Sequence, residues 1–387
     1  MPMELKDKTI LILSPQAWGK MFLAKHHYAI SLAERGNEVY FLNPPTQTTL
    51  KLSNTTQIKG SETKGLYLID HSLFFPYWLK FKALPVFHWL MKIHVGKLMK
   101  QIGKPIDIVW SFDLGHLYPF SFFGNKPIKI FHPVDEPLTR EAIRSVSGAD
   151  IIFSVTREIL EKYEKFDIPK HFINHGVQEY FITEPKPYHQ GNPIRVGFSA
   201  NLLRKDIDRE VLKKIIKENA GCVFEFWGSF ETSQSNIGGS TDDDTKKFVE
   251  FLKQHKNVIL HGVVSAKELA KEFQRMDAFL ICYDVQKDQS KGTNYHKLME
   301  YFASGRVVIS NNVTTYKNEE ILVQMTVDRT SNASLLELFR LTIGNLPFHN
   351  SESRRQYRIS FARKNSYPNQ LNLIEETLRK SSFARQN

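Results

Sequence analysis

At 387 residues, with 41% hydrophobic and 24% charged side chains, the chain is long enough for two domains and too apolar to remain disordered. Fifty-two Lys and Arg against 41 Asp and Glu give a net charge of +11, which favours anionic partners: phosphorylated small molecules, nucleic acid or an anionic membrane surface. Two cysteines exclude a disulfide scaffold and a cysteine-based zinc site, no apolar run reaches the roughly 18 residues of a membrane span, and the first ten residues lack a signal-peptide layout, so a soluble cytoplasmic protein is expected.

In chain order, the apolar run Thr9–Ser14 predicts a strand, followed by a loop with Pro15 and Gly19 and a helical pattern through Ala24, Ile30, Leu32 and Ala33 that stops at Gly36. Val39–Leu42 then predicts a second strand. Strand, helix, strand within some 35 residues is the grammar of a parallel sheet covered on both faces. Further strands are expected at Gly65–Ile69, Ile106–Trp110, Ile128–Phe131, Ile151–Val155 and His171–Asn174, with a helix at Arg157–Lys165.

Residues 71–104 hold six Lys, three His and no acid, interleaved with Phe74, Phe75, Tyr77, Trp78, Phe81, Phe87 and Trp89. Two readings are open: core helices with a lysine-rich outer face, or a basic aromatic surface for an anionic membrane. No RNA-binding sheet motif and no zinc-finger spacing occurs, so nucleic acid is not expected.

Residues 182–193 contain three prolines and one glycine and read as an interdomain linker. The α/β pattern then restarts, with strands expected at Ile194–Phe198, Cys222–Trp227, Val258–His261, Ala278–Tyr283 and Val307–Ser310, and helices near Arg209–Glu218, Ala266–Met276 and Asn294–Ser304. Ser229–Lys247, with Gly238 and the triplet Asp242–Asp244, reads as a mobile loop; the triplet is also a possible metal site. Two doubly wound domains would bind ligands beyond the carboxyl ends of their strands.

The segment Lys291–Ser310 carries the most chemical information. A loop leads into a helix whose N-cap is expected at Thr293 or Asn294, with Lys297 in its first turns and Glu300 three residues on. Such a helix start can hold a phosphate, and a carboxylate at Glu300 can accept two ribose hydroxyls. The plainer reading of Lys297 and Glu300 is a salt bridge on a helix surface.

The pattern Asn294-Tyr-His-Lys-Leu-Met-Glu300, followed by Ala303-Ser-Gly305 and an apolar strand, resembles the donor-site helix of GT-B glycosyltransferases related to family 4. The resemblance implies that Glu300 binds the nucleotide ribose. Many members carry a further glutamate eight residues upstream, where this chain has Gly292, and Asn294 and Tyr295 would take over part of its role. Gly197-Phe-Ser-Ala-Asn-Leu-Leu-Arg-Lys205 is similar to the family's opening of the second domain, which implies Arg204 and Lys205 on the donor diphosphate. The alternative for this pair is an ordinary basic helix start. Phe224–Gly228 and Asn257–Gly262 follow the family's succession and imply base contacts, mostly through backbone, around His261, Gly262 and Val263, with Gly228 at the donor as well. Gly19 stands where the family has a loop over the donor phosphates.

For the acceptor hydroxyl, His132 and Asp135 follow Ile128–Phe131 at a carboxyl end and are the candidate catalytic pair. Glu136 follows them, and Asp113 and His116 follow Ile106–Trp110 in the same way. The expected fold is α/β, with two Rossmann-like domains facing across a cleft. They comprise an acceptor-side domain over 1–183, a linker over 184–193, a nucleotide-sugar domain over 194–350 and a helical tail over 351–387 packing back on the first. The expected activity is transfer of a sugar from a nucleotide-diphosphate sugar to a hydroxyl of a glycan or lipid-linked acceptor, with retention and with no metal or cofactor. Partners would be donor, acceptor and, peripherally, an anionic membrane at its inner face. The alternatives are an inactive nucleotide-sugar-binding protein and a nucleotide-sugar 2-epimerase.

Overall fold

In the computed structural model the chain divides into two compact units, Met1–Asn174 with Tyr367–Asn387, and His175–Ser366. The structure describes residues 4–19, 22–46, 56–184, 187–231, 239–317, 319–325 and 331–383.

The first unit is built on eight strands: β1 (Thr9–Leu13), β2 (Glu38–Leu42), β3 (Thr56–Gly60), β4 (Leu66–His71), β5 (Ile108–Ser111), β6 (Ile128–Phe131), β7 (Ile151–Ser154) and β8 (Lys170–Phe172). Their order is β3-β4-β2-β1-β5-β6-β7-β8, parallel except for the edge pair β3–β4. Alternation along β1 explains the layers. Ile10 and Ile12 enter one core, Leu11 and Leu13 the other, and all four are fully buried. The first core is closed by the helix Ala24–Glu34 and by Tyr367, Leu371, Ile374 and Leu378 of the terminal helix Tyr367–Phe383. Tyr28 Oη donates to Gln370 Oε1 at 2.5 Å between those helices. The second core is closed by the helix Leu84–Ile102, which buries Phe87, Met91, Val95, Leu98 and Ile102 and ends at the left-handed Gly103. Each such side chain contributes about 1.5–3 kcal/mol on burial.

The second unit carries six parallel strands, β9 (Ile194–Ser199), β10 (Cys222–Trp227), β11 (Val258–Gly262), β12 (Ala278–Ile281), β13 (Val307–Ser310) and β14 (Val323–Gln324), in the order β11-β10-β9-β12-β13-β14. Here the structure departs from the expected linker. Pro185 and Lys186 lie outside the described residues, and the remainder is fastened to the second unit. The carboxylate of Asp277 accepts from Tyr188 Oη, Gly191 N and Arg195 N at 2.8–3.0 Å, and Thr183 N donates to Ala303 O.

The expected tail also divides. The helix Glu352–Lys364 belongs to the second unit, because the buried Arg358 donates to the carbonyls of Ile321, Gly305 and His349. Only Tyr367–Phe383 joins the first.

The expected loop Ser229–Lys247 is shorter than predicted. Residues 232–238, Gly238 included, lie outside the described residues, and a helix begins at Asp243. The acidic triplet is its start: Asp242 Oδ1 accepts from Thr245 N at 2.9 Å, and Asp243 and Asp244 occupy the first turn, where negative charge offsets the helix dipole. Among the described residues no group of three or more His, Cys, Asp or Glu is placed to hold a metal. No described helix is long and apolar enough to cross a membrane.

Candidate donor site in the second unit

The candidate donor residues sit at the carboxyl ends of the second sheet's strands, on the loops that leave them and on the helix after β12, and nearly every charged one is already matched with an opposite charge. Beyond β9, the guanidinium of Arg204 grips both carboxylate oxygens of Asp206, with Nε at 2.8 Å from Oδ1, and lies 5.8 Å from the centre of the Tyr283 ring. This pairing raises its already high pKa further. Lys205 Nζ lies 2.9 Å from Asp242 Oδ2, and that bond together with those from Thr245 holds the Asp242 carboxyl well below the usual range.

At the ends of β10 and β11 the backbone closes tightly. Gly228 has φ of +121°, and its N–H donates to Gly262 O at 2.8 Å. A Cβ at this position would lie 1.9 Å from Ala200 O, so only glycine fits. The register of β10 against β11 jumps from Phe226–Leu260 to Trp227–Gly262, leaving His261 as the extra residue of a bulge. The bulge aims His261 back over the sheet. Its ring stacks on Trp227 with centroids 4.8 Å apart, and Nε2 meets Glu225 Oε2 at 2.7 Å. Glu225 is fully buried in mid-strand and also pairs with Arg195. Val263, next along, is exposed.

The helix carrying Glu300 starts later than predicted. It runs Lys297–Ala303 with His296 at the N-cap and no side-chain cap. Asn294 and Thr293 are not its cap because their loop is committed elsewhere. Gly292 O and Thr293 O accept from Thr314 N and Thr315 N, each at 3.1 Å. Asp288, buried, accepts from Ser290 N, Ser290 Oγ, Gly292 N and Tyr295 Oη at 2.6–3.1 Å. The helix start therefore lies beyond the expected Thr293 or Asn294, at His296. Lys297 Nζ lies 3.0 Å from Glu300 Oε2, the salt bridge of the plainer reading. Tyr295 packs its ring on Tyr283, and burial next to Asp288 pushes its hydroxyl pKa well up. Asn294 is buried and its backbone bonds His175, whose imidazole is lowered to about 4 by burial.

In the first unit the candidate catalytic pair separates. His132 is fully buried; its Nδ1 accepts from Trp110 Nε1 at 3.3 Å, and its ring lies among those of Tyr28, Trp110, Phe112 and Phe153. It is a core residue and has no access to a substrate. The reason is strand alternation: His132 continues β6 on the face of Ile130, the one turned to that core. Asp135 is exposed and lines a cavity of about 330 Å³ together with Gln16, Tyr77, Lys80 and Asp113. Asp113 Oδ1 and Oδ2 accept from Gly115 N and Leu117 N, each at 2.7 Å, and burial raises its pKa. Glu136 pairs with Lys162 at 3.3 Å. His116 is lowered to about 4 by burial. Gly19 lies exposed in the loop after β1.

Lys25 escaped sequence reasoning. It is buried, bonds Gln16 Oε1 and feels the charge of Asp135, and burial lowers it to about 8. A lone lysine in a helix buried on most sides carries no sequence signal of burial. Asp288 was legible: Asp-Gln-Ser is an Asx-turn pattern.

No family model matches the sequence, and no curated protein does. Solved structures match over nearly the whole chain. The α,α-trehalose-phosphate synthase (UDP-forming) of Burkholderia xenovorans in complex with glucose-6-phosphate has a TM-score of 0.69 at 10% identity, covering 96% of this chain and 100% of that one. HepE of Anabaena in complex with UDP and glucose scores 0.64 at 12% identity, covering 96% and 99%. Sucrose-phosphate synthase of Thermosynechococcus elongatus scores 0.65 at 10% identity, covering 97% and 100%. The chain has the GT-B glycosyltransferase fold. At these identities the likeness is one of fold, and the two doubly wound units are its expression.

Proposed function

We propose that the chain is a glycosyltransferase, nearest in pattern to family 4, that moves a sugar from a nucleotide-diphosphate sugar to a hydroxyl of a glycan or lipid-linked acceptor in the cytoplasm. The observation that carries this reading is the set Arg204, Lys205 and Gly228 on carboxyl-end loops, with Lys297 and Glu300 on the helix after β12, around one parallel sheet in a GT-B fold. HepE and the trehalose-phosphate synthase, solved with UDP or named as UDP-forming, support a nucleotide donor.

In this reading Arg204 exchanges Asp206 for the donor diphosphate, Lys205 exchanges Asp242, and the two cations stabilise charge as the leaving group departs. Glu300 accepts the ribose hydroxyls while Lys297 stays beside it. Gly228 lets the loop after β10 pack directly against Ala200 O, which fixes the backbone at that strand end. Retention requires positioning more than a strong base, and Asp135 would orient the acceptor. Metal independence belongs to the same proposal, because Arg and Lys supply the charge. Contact with an anionic membrane is its last part, argued below from a surface of the first unit.

A second reading, a nucleotide-sugar-binding protein without turnover, is favoured by Gly292. Its N–H is held by Asp288, and it brings no side chain to the site. Incubation with UDP-, GDP- and ADP-sugars plus a panel of glycan acceptors separates the two. Transfer, with product stereochemistry read by NMR and unchanged by EDTA, supports the proposal; nucleotide binding without any transfer selects the second reading.

A further inference from the structure

The helix Leu84–Ile102 is apolar on two sides. Its inner face, Phe87, Met91, Val95, Leu98 and Ile102, fills the core. A surface helix is ordinarily charged on the face opposite its core stripe. Here Val86, Trp89 and Ile93, spaced i, i+3 and i+7 and therefore on one stripe, are exposed instead. The preceding turn adds Trp78 and Phe81. Phe81 is 73% exposed, Trp89 63% and Trp78 58%, so three large rings face outward within twelve residues.

Along the stretch itself the charge has one sign. Lys82, Lys92, Lys97 and Lys100 are exposed, none is ion-paired among the described residues, and no acidic residue occurs from 71 to 104. Lys97 Nζ lies 4.6 Å from the centre of the Phe74 ring.

We infer that this face seats the first unit on an anionic lipid surface, with Trp78, Phe81 and Trp89 at the level of the headgroups and the four lysines against lipid phosphates. Aromatic rings are favoured there because one edge is apolar and the other tolerates water. Lysines beside them add an attraction that salt screens. Charge complementarity decides the occupant: a second copy would bring four lysines against four lysines. The inference deepens the membrane part of the proposed function by naming its residues, and it is independent of the proposed transfer reaction.

The test is co-sedimentation of the full chain with vesicles of phosphatidylcholine alone or mixed with phosphatidylglycerol. The chain is expected to pellet with the mixed vesicles, to release as salt rises, and to show a blue shift of tryptophan emission. Phe81→Ser with Trp89→Ser should weaken partitioning by about tenfold or more, since bound apolar area sets the affinity. Lys82→Ala with Lys92→Ala and Lys97→Ala should remove the preference for phosphatidylglycerol. Thermal melting of each variant, expected to match the parent because these side chains are exposed, guards against misfolding. The inference is overturned if the parent fails to pellet, or if the ring variant pellets equally. It is overturned as well if the parent self-associates without vesicles and the ring variant does not, which would make the partner a second copy. Transfer assayed on a soluble acceptor is unaffected by any of these outcomes.

Discussion

Lys297 Nζ and Glu300 Oε2 stand 3.0 Å apart on the same helix, each side chain about one-fifth exposed. An i,i+3 pair at that exposure contributes at most about 1 kcal/mol to stability. Its proposed value lies in ligand binding, where Lys297 holds the carboxylate oriented. Glu300→Ala is therefore expected to leave the urea midpoint nearly unchanged while weakening nucleotide binding by about tenfold or more, measured by calorimetry. A variant that loses stability and keeps binding would make the pair structural.

Gly228 meets two constraints at once, a left-handed φ of +121° and the approach of Ala200 O. Gly228→Ala is expected to cost more than about 2 kcal/mol and to open the bond to Gly262 O. Chemical denaturation with hydrogen exchange at Gly262 and its neighbours measures this. Unchanged stability would mean that the loop relaxes freely.

Lys25 offers a pH signature. Its pKa is about 8 in the folded chain against 10.5 when unfolded. Between those values the unfolded state binds more protons, so stability should rise with pH from about 8 to about 10.5, by about 3 kcal/mol at the limit. Lys25→Met should abolish that rise. Parallel profiles for the two proteins would show that Lys25 is hydrated.

His132 and Asp135 separate structure from chemistry. His132→Phe leaves Trp110 Nε1 without its acceptor, at a cost of about 1–3 kcal/mol, and should leave kcat/KM within about threefold. Asp135→Asn should leave stability alone and lower kcat/KM by about tenfold or more. The reverse ranking would return His132 to the catalytic site.

The buried His71–His94 pair, Nδ1 to Nε2 at 2.8 Å, carries the same sign of pH dependence as Lys25, in an acid window. Burial lowers the two rings to about 4 and about 3. Below pH 6.5 only the unfolded chain protonates them, so stability should fall between pH 6.5 and about 4. His94→Leu should flatten that slope in urea titrations from pH 7 to about 4. An unaltered slope would assign the acid sensitivity to other groups.

The central strands were legible because they are short apolar runs buried on both faces, such as Ile-Leu-Ile-Leu at 10–13 or Val-Val-Ile at 307–309. β3, Thr-Gln-Ile-Lys-Gly, was not: an edge strand exposed on most of its residues has no apolar run to read. Arg204, Lys297 and Glu300 were singled out by pattern, whereas Asp206, the partner of Arg204, had to be seen in place. His132 was misjudged because a position after a strand fixes the end of the sheet and leaves the face open. The spacing Ile128, Ile130, His132 already pointed to the core side.

The measurement that bears most directly on the proposed donor site is the thermal shift of the full chain with UDP, GDP and ADP and their sugar conjugates, run beside Arg204→Ala and Glu300→Ala. A ligand bound only by the folded state raises the midpoint with ln(1 + [L]/Kd). The account predicts a rise with one nucleotide class that both variants lose. No rise with any nucleotide at millimolar concentration, or a rise that both variants keep, would contradict it.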